Sequence, residues 1–333
     1  MKAMVVAHPG LIENCPLMLI DLPIPEPSPG AVLIQVEVCG VCRTDLHVAE
    51  GDLPPHKSPV APGHEVVGTV VKMGPNTRRL KEGDRVGVAW LHASCGVCPY
   101  CTRDEENLCI APRFTGYDVH GGYAEYIVAP EDFVYPLPSG VSSVEIAPLL
   151  CAGIIGYRAL RRSNVRPGER LGLYGFGASA HIVLQIARYW GCEVYVVTRG
   201  GKHGTLAQRM GATWVGEAAD TPPEKLHSAI IFAPAGTLVP PALAALDRGG
   251  TLALAGIYMT DIPALEYASH LFYERDLRSV TANTRQDGIE LLTLAKEIPL
   301  HTHTQEFPLE RATEALQKLK AGHIEGAAVL RVH

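Results

Sequence analysis

No stretch of this 333-residue sequence stays apolar for the roughly 18 residues that a bilayer span requires. No long run of Lys or Arg offers a basic face to nucleic acid, and the formal net charge is −6. Repeats and low-complexity segments are also missing, and 33 Gly with 26 Pro stay below the level of a disordered or fibrous chain. The opening residues, Met1 to Pro9, lack the apolar core and small-residue cleavage site of an export signal and read as a first strand. These absences lead us to expect a soluble, cytoplasmic protein with neither a membrane nor a nucleic acid as partner. The length suits two domains of ordinary size. Apolar and charged shares of 47% and 19% are those of globular chains.

Up to about residue 150 the chain reads as short strands between turns: Ala31 to Val38, Glu65 to Val71 and Tyr123 to Val128. Proline is dense there, which favours irregular β structure over helices. The texture changes near Cys151. Leu171 to Tyr174, Glu193 to Val197, Ala229 to Phe232 and Thr251 to Ala255 are buried-strand patterns, and Ala178 to Trp190 is a helical one. Strands alternating with helices imply βαβ units and a parallel sheet. The tail predicts helices over Gly288 to Ala295 and Glu310 to Lys320, then a last strand.

Nine cysteines cannot all pair, and most are clustered, which in a chain without an export signal points to metal or redox chemistry. Cys95, Cys98, Cys101 and Cys109 follow a C-x2-C-x2-C-x7-C spacing. Short gaps let the chain turn around a tetrahedral Zn²⁺, and the longer gap returns the fourth thiolate. Four protein ligands leave no open position, so this site is structural. Asp104, Glu105 and Glu106 in the same loop would repel phosphates, which argues against a nucleic-acid-binding ribbon.

Cys42, His64 and Cys151 would make a three-ligand zinc site with one position open, the catalytic pattern. Spacing alone does not select them, because Cys39 and Cys42 also form a CxxC pair that fits a redox couple or another zinc knuckle. The order of motifs is more telling. Cys42-Arg43-Thr44-Asp45-Leu46-His47, Gly63-His64-Glu65-x-x-Gly68, Gly83-Asp84-Arg85-Val86, the four-Cys loop and Cys151-Ala152-Gly153 follow one another. In this the chain resembles zinc-dependent alcohol dehydrogenases of the medium-chain dehydrogenase/reductase superfamily, along essentially its whole length, with the compact yeast and bacterial enzymes nearest. The resemblance implies that Cys42, His64 and Cys151 hold a catalytic zinc, that Asp45 orients His64, and that Glu65 lies near the metal. It makes Thr44 and His47 a proton relay and Trp90 an aromatic wall of a pocket for small primary alcohols. Two departures stand out: Ile155 where relatives often carry a threonine near the nicotinamide, and Arg43 where many carry a histidine. Two thiolates and a neutral imidazole neutralise a zinc dication and leave it electrophilic, whereas four thiolates over-neutralise it.

Gly175-Phe176-Gly177-Ala178-Ser179-Ala180, between a strand and a helix, matches the dinucleotide fingerprint, with Gly175 for the turn, Gly177 for phosphate approach and Ala180 for packing. By the resemblance, Arg43 adds a pyrophosphate contact. The tip of the second strand carries Thr198 and Arg199 instead of the carboxylate that would hold a ribose 2′-hydroxyl, so NADP(H) is favoured and NAD(H) is the alternative.

The expected architecture is α/β: an irregular β, GroES-like catalytic domain over 1–150 and 283–333, and a doubly wound parallel-sheet Rossmann domain over 151–282, with the active site in the cleft between them. The expected function is interconversion of alcohols with aldehydes or ketones, with two Zn²⁺ per subunit and a homo-oligomer, tetramer or dimer. The alternatives are an enzyme for bulkier cinnamyl or allylic alcohols, or a non-catalytic zinc-binding relative.

Overall fold

Valine, isoleucine and leucine fill consecutive and then alternate positions of Ala31–Val41, and this segment is the long strand around which the first half of the protein is built. The computed structural model describes residues 1–256 and 258–333. From the N-terminus run β1 (Lys2–Val6), β2 (Leu17–Asp21), β3 (Ala31–Val41), α1 (Arg43–Glu50), β4 (Glu65–Met73), β5 (Arg85–Val88), β6 (Leu91–Ala93), β7 (Arg113–Phe114), β8 (Tyr126–Pro130), β9 (Val134–Pro136) and the short α2 (Ser143–Ile146). Next come α3 (Ala152–Ser163), β10 (Arg170–Tyr174), α4 (Ala178–Tyr189), β11 (Glu193–Val197), α5 (Gly201–Arg209), β12 (Trp214–Gly216), β13 (Leu226–Ile231), α6 (Val239–Ala245), β14 (Leu246–Leu254), α7 (Tyr267–His270) and β15 (Asp276–Ser279). The chain ends with α8 (Arg285–Glu297), β16 (Thr304–Pro308), α9 (Ala312–Lys320) and β17 (Ala327–Arg331).

These elements divide into two compact units. One comprises Met1–Cys151, Ala282–Glu297 and His301–His333; the other comprises Ala152–Thr281 and Ile298–Leu300. In the first, a seven-stranded sheet runs β16-β17-β3-β4-β5-β9, with β8 also on β3. Its pairs are antiparallel except for β16 with β17. Val32, Ile34, Val36, Val66, Val86, Val88, Leu316 and Leu330 form its dry centre. Register here decides the chemistry. Gly40 near the end of β3 stands opposite Glu65 at the start of β4, so the residue that follows β3, Cys42, and the residue that precedes β4, His64, emerge at the same edge.

The proline-dense first half nevertheless contains α1, which the sequence reading did not anticipate. No proline falls between Pro29 and Pro54. The helix is opened by a capping box in which Asp45 accepts from the Cys42 backbone N–H at 2.8 Å, and it is closed by Gly51 in the left-handed region.

The second unit is the doubly wound α/β fold anticipated from the strand–helix alternation. Its six parallel strands lie in the order β12-β11-β10-β13-β14-β15. Tyr174, Val197, Leu226, Ile231, Leu243 and Leu252 belong to one of its cores. Among the described residues no single helix is long and apolar enough to cross a membrane.

Candidate active site and metal centres

Asp45 organises the first site. It is 1% exposed and gathers four donors: Cys42 N–H at 2.8 Å, Gly63 N–H at 3.1 Å, His64 Nδ1–H at 2.9 Å and Tyr123 O–H at 3.3 Å. Because the carboxylate can only accept, Nδ1 of His64 carries a proton, and Nε2 faces Cys151, whose Sγ is 3.3 Å away. Cys42 Sγ lies 3.8 Å from Cys151 Sγ and 3.8 Å from Thr44 Oγ1. Ligand atoms of Cys42, His64, Glu65 and Cys151 all fall within 4.8 Å of one another. A tetrahedral ion with Zn–S bonds of about 2.3 Å separates its donors by about 3.5–3.8 Å, so this soft S, N, S set has the right chemistry and spacing for zinc.

Protonation follows the crowding. A hydrogen bond from the Cys151 thiol holds Cys42 well below the usual thiol range and pushes Cys151 well above it. Burial alone would lower His64, but the charge and hydrogen bond of Asp45 carry it well above the ordinary imidazole value. Burial, then the Cys42 charge, raises Glu65 well above a normal carboxyl. Glu65 is 3% exposed, and its Oε2 has no hydrogen-bond partner among the described residues. Gly40 makes room for it: a methyl group there would fall 1.8 Å from that oxygen. The Trp90 ring meets the His64 ring edge-on at 5.0 Å and stacks on Phe114 at 4.8 Å, giving the cluster an apolar wall. Thr44 is buried and lies one helical turn before His47, whose Nδ1–H donates to Asp52 Oδ2 at 2.7 Å. Arg43, at the first position of α1, is exposed.

The second cluster is Cys95, Cys98, Cys101 and Cys109. Cys95 and Cys101 sulfurs are 3.9 Å apart, and those of Cys98 and Cys101 are 3.5 Å apart. Backbone N–H groups of Cys95 and Ala111 donate to Cys109 Sγ, and that of Cys98 donates to Cys95 Sγ. Such donors favour thiolate: those of Cys101 and Ile110 bring Cys98 down to about 6, while burial pushes Cys109 up to about 11. The donor set and its spacing again fit zinc. The loop is anchored by buried Glu106, which accepts from the Arg285 backbone N–H at 2.9 Å and from its Nε at 3.0 Å.

In the second unit, β10 ends at Tyr174 and Gly175 turns the chain at φ +91°, where a methyl group would lie 2.9 Å from the Ala233 nitrogen. Only glycine fits that turn. Gly177 caps α4, and Ala180 is fully buried on the next turn. At the tip of β11, the Thr198 backbone N–H donates to Gly216 O at 2.9 Å and Arg199 is exposed. Thr198, Gly200, Glu217 and Asp220 share the lining of a cavity of about 330 Å³. Glu217 Oε1 lies 3.1 Å from where a side chain on Gly200 would begin.

Residues 28–139 match the family model of the alcohol dehydrogenase GroES-like domain, and residues 180–297 match that of the zinc-binding dehydrogenases. A Mycobacterium tuberculosis (strain CDC 1551 / Oshkosh) protein named "Probable alcohol dehydrogenase AdhA" is 53% identical over 337 residues, which cover 100% of this chain and 97% of that one. The chain belongs to the alcohol dehydrogenase family.

Solved structures agree. An NAD-dependent alcohol dehydrogenase superposes with a TM-score of 0.91 at 25% identity over 100% of both chains. CAD from Helicobacter pylori, complexed with NADP(H), does so at 0.89 and 25%, over 99% of this chain and 97% of that one. In this alcohol dehydrogenase family member the structure gathers Cys42, Thr44, Asp45, His64, Glu65, Trp90 and Cys151 around one point, and His47 one helical turn beyond Thr44. Ile155 is half-buried on α3. Two residues escaped the sequence reading. Glu217, the residue that follows β12, places a carboxylate in the cavity that Thr198 lines. Asp52 sits just past the helix-ending Gly51, and that pairing of a terminal glycine with an acid was the available signal.

Proposed function

We propose that the protein is a zinc-dependent alcohol dehydrogenase that interconverts small primary alcohols and aldehydes with a nicotinamide dinucleotide. The observation that carries this reading is the close group of Cys42, His64 and Cys151, with the His64 tautomer held by Asp45 and the Trp90 ring beside it. When bound, zinc supplies Lewis acidity towards the alcohol or carbonyl oxygen, and the nicotinamide supplies the two-electron acceptor or donor.

The chain's own residues do the rest. Cys42, His64 and Cys151 hold the ion, and Asp45 keeps the imidazole lone pair aimed at it. Trp90 excludes water and limits the pocket. Thr44 receives the proton that leaves the alcohol oxygen, and His47 takes it towards solvent. Glu65 remains a spare carboxyl beside the site. The four-thiol loop would hold a second, structural zinc.

Gly175, Gly177 and Ala180 would accept the dinucleotide's pyrophosphate at the N-terminus of α4, with Arg43 as a further phosphate contact. Thr198 with the Arg199 guanidinium favours NADP(H), opposed by the carboxylate of Glu217. Free thiols in both clusters fit a reducing compartment, the cytoplasm. A homo-oligomer is favoured by β15, an edge strand near which Tyr267 and Phe272 stand 66% and 58% exposed.

Initial rates with a short-chain aldehyde, NADPH against NADH, before and after a zinc chelator, test the reading. Chelator-sensitive turnover with NADPH preferred supports all of it, and a preference for NADH removes the Arg199 argument alone. Absence of turnover with either cofactor, over short and aromatic aldehydes, overturns it.

A further inference from the structure

The proton path proposed for Thr44 and His47 has a continuation in Asp52, the hydrogen-bond partner of the His47 imidazole. Thr44 is 4% exposed, the His47 side chain 21% and the Asp52 side chain 60%, so exposure rises from Thr44 through the bonded pair of His47 and Asp52. The placement of Asp52 is built by the backbone. His47 O accepts from Gly51 N–H at 3.0 Å and from Leu53 N–H at 3.5 Å, which folds the chain back over the imidazole as α1 ends. Leu53 then packs on Val48, Val60 and Tyr117, and Tyr117 O–H donates to Pro54 O, so the turn is pinned on both sides of Asp52. Glu50, the other acid of this segment, is already engaged by Lys320 and by the Ile12 backbone N–H.

We propose that Asp52 is the positioning residue of the relay. The inference rests on the dehydrogenase reading above. An Asp52 carboxylate that accepts Nδ1–H fixes His47 in the tautomer whose Nε2 lone pair is free to take a proton. When the alcohol proton arrives by way of Thr44, Nε2 accepts it and the ring becomes an imidazolium. The carboxylate and the C-terminal end of α1 both stabilise that cation. The same proton then leaves the ring for water, and the ring returns to its starting tautomer. The high exposure of Asp52 suits this work, since the proton must be discharged into solvent.

Three variants and one spectroscopic measurement test it. Asp52→Asn keeps the size and removes the charge, Asp52→Glu keeps the charge, and His47→Asn identifies the His47 resonances by their loss. Nitrogen-15 spectra of the imidazoles are expected to show His47 protonated at Nδ1 in the wild-type protein and at Nε2 in Asp52→Asn. Turnover of a short-chain alcohol is expected to fall about tenfold in kcat in Asp52→Asn with KM little changed, as for other partners that orient a working histidine, and to recover in Asp52→Glu. An unchanged His47 tautomer, an unchanged kcat in Asp52→Asn, or failure of Asp52→Glu to recover would each overturn the proposal. The tautomer is read without turnover, so its failure counts against Asp52 alone. A wild-type protein that turns over no alcohol and binds no dinucleotide counts against the function proposed above.

Discussion

Asp45 accepts from four donors while almost wholly buried, so its two oxygens leave no room for an amide. Asp45→Asn must turn an NH2 group towards at least one of them. We expect zinc affinity at the Cys42 cluster to drop about 10–100-fold, read by competition with a chromophoric chelator. His92 gives a pH signature of a different kind. Burial, assisted by the Arg113 charge, brings it down to about 4 from an ordinary 6.5. Its neutral form is therefore the native one. Above pH 6.5 folding gains everything this residue offers; as the pH falls from 6.5 towards 4 the unfolded chain binds a proton that the native chain refuses, and stability declines. The loss is on the order of 3 kcal/mol at about 1.4 kcal/mol per pKa unit. Thermal melts across that window should show it, and His92→Phe should flatten the slope. Of these residues Asp45 was legible through its motif. His92 and Tyr123 were not, because nothing in a sequence says which side chains will share a buried pocket.

Helices and turns carry the next level. The Gly175 turn and α4 were readable because a glycine fingerprint between strand and helix has one geometric solution. In contrast, α1 was missed because the prolines on either side of its proline-free stretch set the expectation, and its start is capped by Asp45, itself part of the Cys42 cluster. Gly175→Ala should reduce dinucleotide affinity more than tenfold, through strain at φ +91° and the Ala233 contact, measured by fluorescence titration with NADPH. At the β11 corner, Arg199→Ala should weaken NADPH binding, whereas Glu217→Gln should strengthen it about tenfold by removing a negative charge from the cavity beside Thr198. Titrations with NADPH and NADH measure both. Strand neighbours such as β12 and β11 are set by topology, which is why the sequence reading did not bring Glu217 beside Thr198.

For the molecule as a whole, the two sulfur clusters should respond to chelation in separable ways. Mild chelation that strips the open Cys42 site should abolish turnover while the thermal midpoint changes little. Removal of metal from the four-cysteine loop, or Cys98→Ser, should lower the midpoint by several degrees, because a metal held there would take the place of a hydrophobic core in fixing the loop. Metal analysis alongside calorimetry checks both. The two-fold division of the chain was visible as a change in texture near Cys151, since antiparallel and parallel sheets differ in the sequences they need. The expectation that residues 283–333 return to the first domain rested on the resemblance, as no local pattern records which sheet a strand will join, and Ile298–Leu300 lie instead in the second unit.

Gly40 carries a consequence for heredity. It is neither a ligand nor near solvent, and yet the space above it is filled by the Glu65 carboxylate. Any missense change at this codon would drive a side chain into the acid beside the metal cluster while leaving every cysteine and histidine in place. In a population of variants such an allele would disturb the surroundings of the cluster without touching a cysteine or histidine, and its defect would be overlooked by anyone inspecting only those residues.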